Sequence, residues 1–207
     1  MLCGVMLNRI YPRGWDILDT VFCSFGISFN NIVRKTGFSS QTVSNNIRLL
    51  RDWNLVYEMP IPGGKLLFPE LNTSWSRSVF ALIENYKLEN YENRFTVQKI
   101  SDFFEDLDIL DYILIYPHRS TLSVLDGIAV HDTNKDEVFF EELERQVKSS
   151  LNVDLRLIIM HKDQFVSFGA ARDGFIRSII GEHLVVHGID NFLKAYAEIL
   201  KSLRSFF

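Results

Sequence analysis

The sequence predicts an α+β front part of three helices and a β-hairpin, followed by a small α/β part in which short strands alternate with helices. Three observations predict it. Between residues 16 and 50, apolar side chains recur at three- and four-residue steps in three successive segments. Two short β-prone runs then flank Pro60-Ile61-Pro62-Gly63-Gly64, a turn-forming stretch. Beyond about residue 95, compact apolar runs are separated by amphipathic stretches, the alternation of an α/β layer.

The 207 residues suffice for two modest domains, expected at 1–88 and 95–207. A hydrophobic fraction of 47% and seventeen Phe supply packed cores. Cys3 and Cys23 are too few for a disulfide scaffold and match no metal-ligand spacing, which points to a reducing cytoplasm. No apolar run is long enough to cross a membrane, and no signal peptide is read at the N-terminus. The net charge of −4 conceals an asymmetry: residues 1–79 carry eight Lys/Arg against five Asp/Glu, the remainder fourteen against twenty-one. A mildly basic front part is compatible with docking on phosphates, and an acidic remainder would repel them and orient the molecule.

Taken in order, Tyr11-Pro12-Arg13-Gly14 is a turn, and Asp16 to Cys23 is a helix with Ile17, Leu18, Val21 and Phe22 inward. Gly26 follows as a left-handed terminator. Ser28 caps a helix over Phe29–Thr36, Gly37 turns the chain, and Ser39 or Ser40 caps the next helix, which Arg51-Asp52-Trp53-Asn54-Leu55 closes. Arg51 is expected to cap that helix or pair with an acidic neighbour. Leu55–Met59 and Lys65–Phe68 form the hairpin. A helix from Trp75 to Leu88 is expected to bury Trp75, Val79, Leu82, Ile83 and Tyr86. Residues 89–94 read as a polar linker, and Thr96–Leu107 as a helix with Val97, Ile100, Phe103 and Phe104 inward. Strands over 111–116, 127–131 and 153–160, helices over 137–149 and 170–180, a short strand within 181–188 and a last helix over 191–205 complete the chain.

The segment Phe38–Leu50 carries the most information. Val43, Ile47 and Leu50 make an apolar stripe, while Ser40, Gln41, Thr42, Ser44, Asn45 and Arg48 fall on other faces. A merely solvated helix would carry Glu and Lys there, because Ser, Thr and Asn are poorer helix formers. Two readings stay open: an unusual surface helix, or a helix whose donors and acceptors meet base edges in a major groove.

Helix, Gly-containing turn, helix and hairpin over about 15–70 resembles the winged-helix domains of archaeal and bacterial transcription regulators, the broad MarR-like and ArsR-like group. The resemblance rests on Phe29–Leu50 followed by Asn54-Leu55-Val56 entering the wing. It implies double-stranded DNA as partner and a homodimer through the following helix, with a small-molecule or protein effector. In that frame Arg34 and Lys35 would lie near a phosphate and Lys65 on the wing near a neighbouring one, Lys35 and Lys65 being otherwise solubilising charges. Some winged helices bind protein instead.

Residues 95–190 resemble small nucleotidyltransferase domains of the polymerase-beta type, on Tyr112–Tyr116, Leu125–Val130, Val153–Met160 and Gly181-Glu182-His183-Leu184-Val185-Val186-His187-Gly188. Fusion to an upstream winged helix resembles an archaeal arrangement. The resemblance implies a Gly-Ser phosphate cradle after the first strand and three aspartates holding magnesium. Here Pro117-His118 stands in the place of Gly-Ser, and proline offers no N–H to a phosphate. Asp126 matches one of the paired aspartates, but Val124 and Ile128 flank it where the second carboxylate belongs, and neither can bind a hard cation. Asp154 matches the third. The expectation is therefore a DNA-binding regulator whose second domain has lost catalysis and uses no cofactor, with His118, Asp126 and Asp154 as a vestigial metal or nucleotide site. The alternatives are an active magnesium-dependent nucleotidyltransferase, or a protein-interaction adaptor. The five histidines make no metal spacing and are expected at the surface or partly buried.

Overall fold

The computed structural model describes residues 13–92, 94–105, 110–116, 124–132 and 137–204. The chain divides into two compact units: residues 1–83 with 200–207, and residues 84–199. The division therefore lies within the helix that starts at Ser74 rather than in the polar connector at 89–94. Side-chain contacts match both features of that division, the cut before Glu84 and the return of residues 200–207 to the first unit. Glu84 is enclosed in the second unit with Lys87 and His183, and near the C-terminus Arg204 lies over the Tyr57 ring at 3.8 Å and pairs with Glu70 at 3.1 Å.

The first unit is α1 (Arg13–Phe22), β1 (Ile27–Ser28), α2 (Phe29–Thr36), α3 (Ser40–Asp52), β2 (Val56–Ile61), β3 (Gly64–Pro69) and the first part of α4 (Ser74–Glu89). α1 buries Ile17, Leu18, Val21 and Phe22, α2 buries Ile32, and α3 buries Val43, Ile47 and Leu50. Ser28 and Ser39 cap α2 and α3, accepting from the Asn31 and Thr42 N–H groups. Gly26 and Gly37 take the left-handed conformations that end their segments, at φ 92° and 69°. The sheet order is β1-β3-β2, all antiparallel. β2 runs through Pro60, which the local pattern places in the turn. β2 is an edge strand, the place in a sheet where proline is tolerated. β1 pairs Ile27 with Leu67 and was not foreseen, because two residues carry no period.

α4 is turned by about one residue from the expected stripe. Ser76, Val79, Phe80, Ile83 and Glu84 are buried, while Leu82 and Tyr86 are 41% and 49% exposed. Phe80, stacked on Phe22 at 4.6 Å, takes the inward place assigned to Leu82.

The second unit adds α5 (Arg94–Glu105), β4 (Tyr112–Ile115), β5 (Val124–His131), α6 (Glu137–Leu151), β6 (Asp154–His161), α7 (Lys162–Ala170), α8 (Gly174–Glu182), β7 (Leu184–His187) and most of α9 (Ile189–Arg204). Its sheet has the order β6-β5-β4-β7. β4 is antiparallel to β5 and β7, and β5 is parallel to β6 across the α6 crossover. One face packs Ile113, Ile115, Leu125, Ala129 and Leu155 against Val97, Ile100 and Phe104 of α5 and Phe140, Leu143 and Val147 of α6. On the other side Tyr112 meets Phe165 and Phe192 at ring distances of 5.4 and 5.7 Å. All four β4 residues are buried, the signature of a strand covered on both faces.

Each edge strand of this sheet has an outward N–H closed by a glutamate: Val185 donates to Glu84 at 3.1 Å, and Leu157 to Glu144 at 2.8 Å. A carboxylate on an edge donor removes a place where another strand could add. His183, expected at the surface or partly buried, is fully buried. Its Nδ1 lies 2.8 Å from the Ile180 carbonyl oxygen and its Nε2 3.2 Å from Glu84. No helix among the described residues is long and apolar enough to cross a membrane.

Candidate functional site

The exposed side of α3 follows from its own sequence. Gln41, Ser44, Asn45 and Arg48 lie at i, i+3, i+4 and i+7, which is one face, and Val43, Ile47 and Leu50 fill the opposite one. All four polar residues are exposed, as are Ser40, Lys35 and Arg34. Gln41 Nε2 donates to Asn45 Oδ1 at 3.0 Å, which orients two carboxamides side by side and leaves donor and acceptor capacity on each. Thr42 is more committed than its neighbours. Its hydroxyl lies 2.9 Å from Ser39 Oγ and its carbonyl accepts from Asn46 Nδ2 at 2.9 Å, so it shapes the helix start.

The hairpin cations are shared with a carboxylate. Glu58 on β2 pairs with Arg51 at 2.9 Å and with Lys65 at 3.0 Å. Arg51 thus takes the acidic partner its position suggested. Lys65 is 66% exposed, so its ammonium remains accessible while being held by Glu58. Two cations around one carboxylate leave this corner with a net positive charge.

A second arrangement lies on the sheet of the other unit. The β5–β6 register sets Asp126 opposite Arg156 and Asp154 opposite Val124. Strand alternation then puts both aspartates and Arg156 on one face. Asp126, Arg156, Tyr116, Ile158 and Phe175 line a cleft of about 420 Å³. Asp154 is turned to Lys148 Nζ at 3.2 Å and Arg156 Nη2 at 3.3 Å. The Lys148 hydrogen bond, then the two nearby cationic charges, hold its carboxyl below the ordinary aspartate range. Arg156 was not singled out from the sequence, although its place two residues after Asp154 in a strand puts it on the same face. His118 lies outside the described residues.

These residues do not fit a pair of magnesium ions. Waters and substrate phosphates can complete a magnesium shell, but two ions still need carboxylates that hold them both, and this face offers two, one of them already paired with Lys148 and Arg156. Among the described residues, no group of three or more His, Cys, Asp or Glu is placed to hold a metal.

No family model matches the chain, and no curated protein matches it. Among solved structures the chain is similar to "Crystal structure the toxin-antitoxin MntA-HepT", at a TM-score of 0.35 and 14% identity, over 55% of this chain and 86% of that one. A likeness of that degree decides neither a family nor a chemistry.

Proposed function

We propose that the front unit binds double-stranded DNA as a cytoplasmic transcription regulator, with α3 in the major groove and Lys35 and Lys65 near phosphates. The single observation that carries this reading is the exposed face of Gln41, Ser44, Asn45 and Arg48, opposite a buried apolar stripe. The basic balance of residues 1–79 supports it. The back unit serves as a sensor or interaction module, and the exposed Leu82 and Tyr86 of α4 suit a homodimer. The test is fluorescence anisotropy against genomic fragments at rising salt. Binding should weaken linearly on a log–log plot. Arg48→Ala should lower specific affinity about tenfold or more and relax preference at one base position, since a good base contact is worth about 1–3 kcal/mol. Lys35→Ala should weaken binding to all sequences alike and reduce the salt slope by about one. No binding at low salt defeats the proposal.

A second reading, nucleotidyl transfer, is favoured by Asp126 and Asp154 sharing one face of adjacent strands. Incubation with labelled nucleoside triphosphates and magnesium tests it. Transfer that is lost in Asp154→Ala, a residue whose change leaves the core intact, would establish it. Silence across all four nucleotides would retire it.

A further inference from the structure

Two of the chain's three tryptophans, Trp53 and Trp75, line one cleft of about 330 Å³ with Asp52 and Asn54. All four residues belong to the front unit. The main chain closes the end of α3: Trp53 N–H donates to the Leu49 carbonyl, and Asn54 N–H to that of Arg51. The side chains are left over. Among the described residues, Asp52, Trp53, Asn54 and Trp75 make no side-chain hydrogen bond, ion pair or ring contact. A half-exposed indole keeps both an apolar face and an N–H available to a ligand, and here two of them share one opening.

The lining of this cleft carries charge of one sign only. Asp52 supplies a carboxylate. The thirteen-residue α3 ends here, and its C-terminal carbonyls carry the negative end of the macrodipole. Indole faces are negative and attract cations. The nearest basic side chain in sequence, Arg51, is tied to Glu58. The larger cleft of about 580 Å³ in the other unit differs, because it mixes Glu105 and Asp190 with Lys194 and His187 and selects no sign.

The geometry points to a binding site for an organic cation, an alkylammonium or guanidinium group, in the cleft that Trp53, Trp75 and Asp52 line. A metal ion is the wrong occupant: one carboxylate and one carboxamide are too few oxygen donors, whereas aromatic rings favour weakly hydrated cations. The volume, at the low end for ligand pockets, suits a group of a few heavy atoms. That group is either a free small molecule or the end of a Lys or Arg side chain on a partner. The site does not depend on the DNA-binding reading.

The tryptophans themselves report on it. The full-length protein is titrated with L-arginine methyl ester and with tetramethylammonium at constant ionic strength, following tryptophan emission and, in parallel, calorimetric heat. Urea serves as the uncharged counterpart of guanidinium. A saturable response to at least one cation, absent with urea, is expected in the millimolar range. Asp52→Asn and Trp75→Phe should each weaken it about fivefold. A capped peptide with one internal arginine assigns the source: tighter binding than the free ester indicates a partner side chain, and equal or weaker binding a small molecule. A response that does not saturate, that urea reproduces, or that is unchanged in both variants overturns the site. Circular dichroism verifies folding, and should Trp75→Phe misfold, Asp52→Asn at its exposed helix-end position decides alone.

Discussion

Glu84→Ala is expected to destabilise the second unit by about 3–5 kcal/mol, the range for removing one partner of a buried ion pair. The Glu84 side chain is 1% exposed, and each of its oxygens is in use. Oε1 takes Lys87 Nζ at 2.7 Å and faces His183 Nε2 at 3.2 Å, while Oε2 accepts the Val185 N–H at 3.1 Å. Alanine leaves a buried imidazole, an ammonium and an edge-strand N–H without their acceptor. Urea denaturation should show the midpoint falling well below wild type, and Glu84→Gln, which keeps an acceptor for Val185, should recover part of the loss. A midpoint for Glu84→Ala close to wild type would refute the buried network.

The same residue sets an acid limit. Burial alone would raise the Glu84 pKa. The charges of His183 and Lys87 and their hydrogen bonds outweigh that and hold it down to about 2, against an ordinary 4.5. A depressed folded-state value means the carboxylate stabilises the fold fully above about pH 4.5, and this contribution is lost as pH falls toward 2. At about 1.4 kcal/mol per unit the loss is on the order of 3 kcal/mol. The stability difference between wild type and Glu84→Gln should therefore shrink as pH falls through that window. A difference that is constant down to pH 2 would contradict the assignment.

Gly188→Ala is the second large effect, at about 2–5 kcal/mol. Gly188 sits at φ 69°, and an added β-carbon would overlap the Asp111 carbonyl oxygen and crowd Tyr112 Cα. Neither neighbour can yield cheaply. That carbonyl also accepts from Asn191 Nδ2 at 3.3 Å, and the Gly188 carbonyl accepts the first α9 N–H groups, from Asn191 and Phe192. Gly37 supplies the internal control. It has the same φ of 69° and nothing within 4 Å of an added β-carbon, so Gly37→Ala should cost only the left-handed term, about 1–2 kcal/mol. Thermal melts of the two variants separate conformation from close approach; equal losses would show that packing at Gly188 adds nothing.

Elements whose causes lie within a few residues were legible. Ser28 and Ser39 cap what they precede, Gly26 and Gly37 are left-handed, and the polar face of α3 is open because 41, 44, 45 and 48 stand opposite 43, 47 and 50. α7 was missed for an equally local reason. Only Phe165 and Gly169 are buried in Lys162–Ala170, which gives almost no period, and its cap is His161, whose ring accepts the Asp163 N–H while Gln164 returns a bond to His161 N–H. That is a capping box without the usual Ser, Thr, Asp or Asn.

The candidate sites divide the same way. The α3 face could be read residue by residue, and so could the presence of Asp126 and Asp154. Their relation could not, because the parallel register of β5 and β6 across α6 decides that Arg156 stands opposite Asp126 and binds Asp154. Glu84 shows the limit most plainly. Nothing local marks a glutamate on an amphipathic helix as buried when the groups that neutralise it include His183 and the N–H of Val185, about a hundred residues on. By itself the sequence determined the helices, their caps and which faces are polar, since those depend on spacing along one element. Only the tertiary structure decided which charges are buried and with whom, since burying a charge is tolerable only beside partners that the fold brings from elsewhere in the chain.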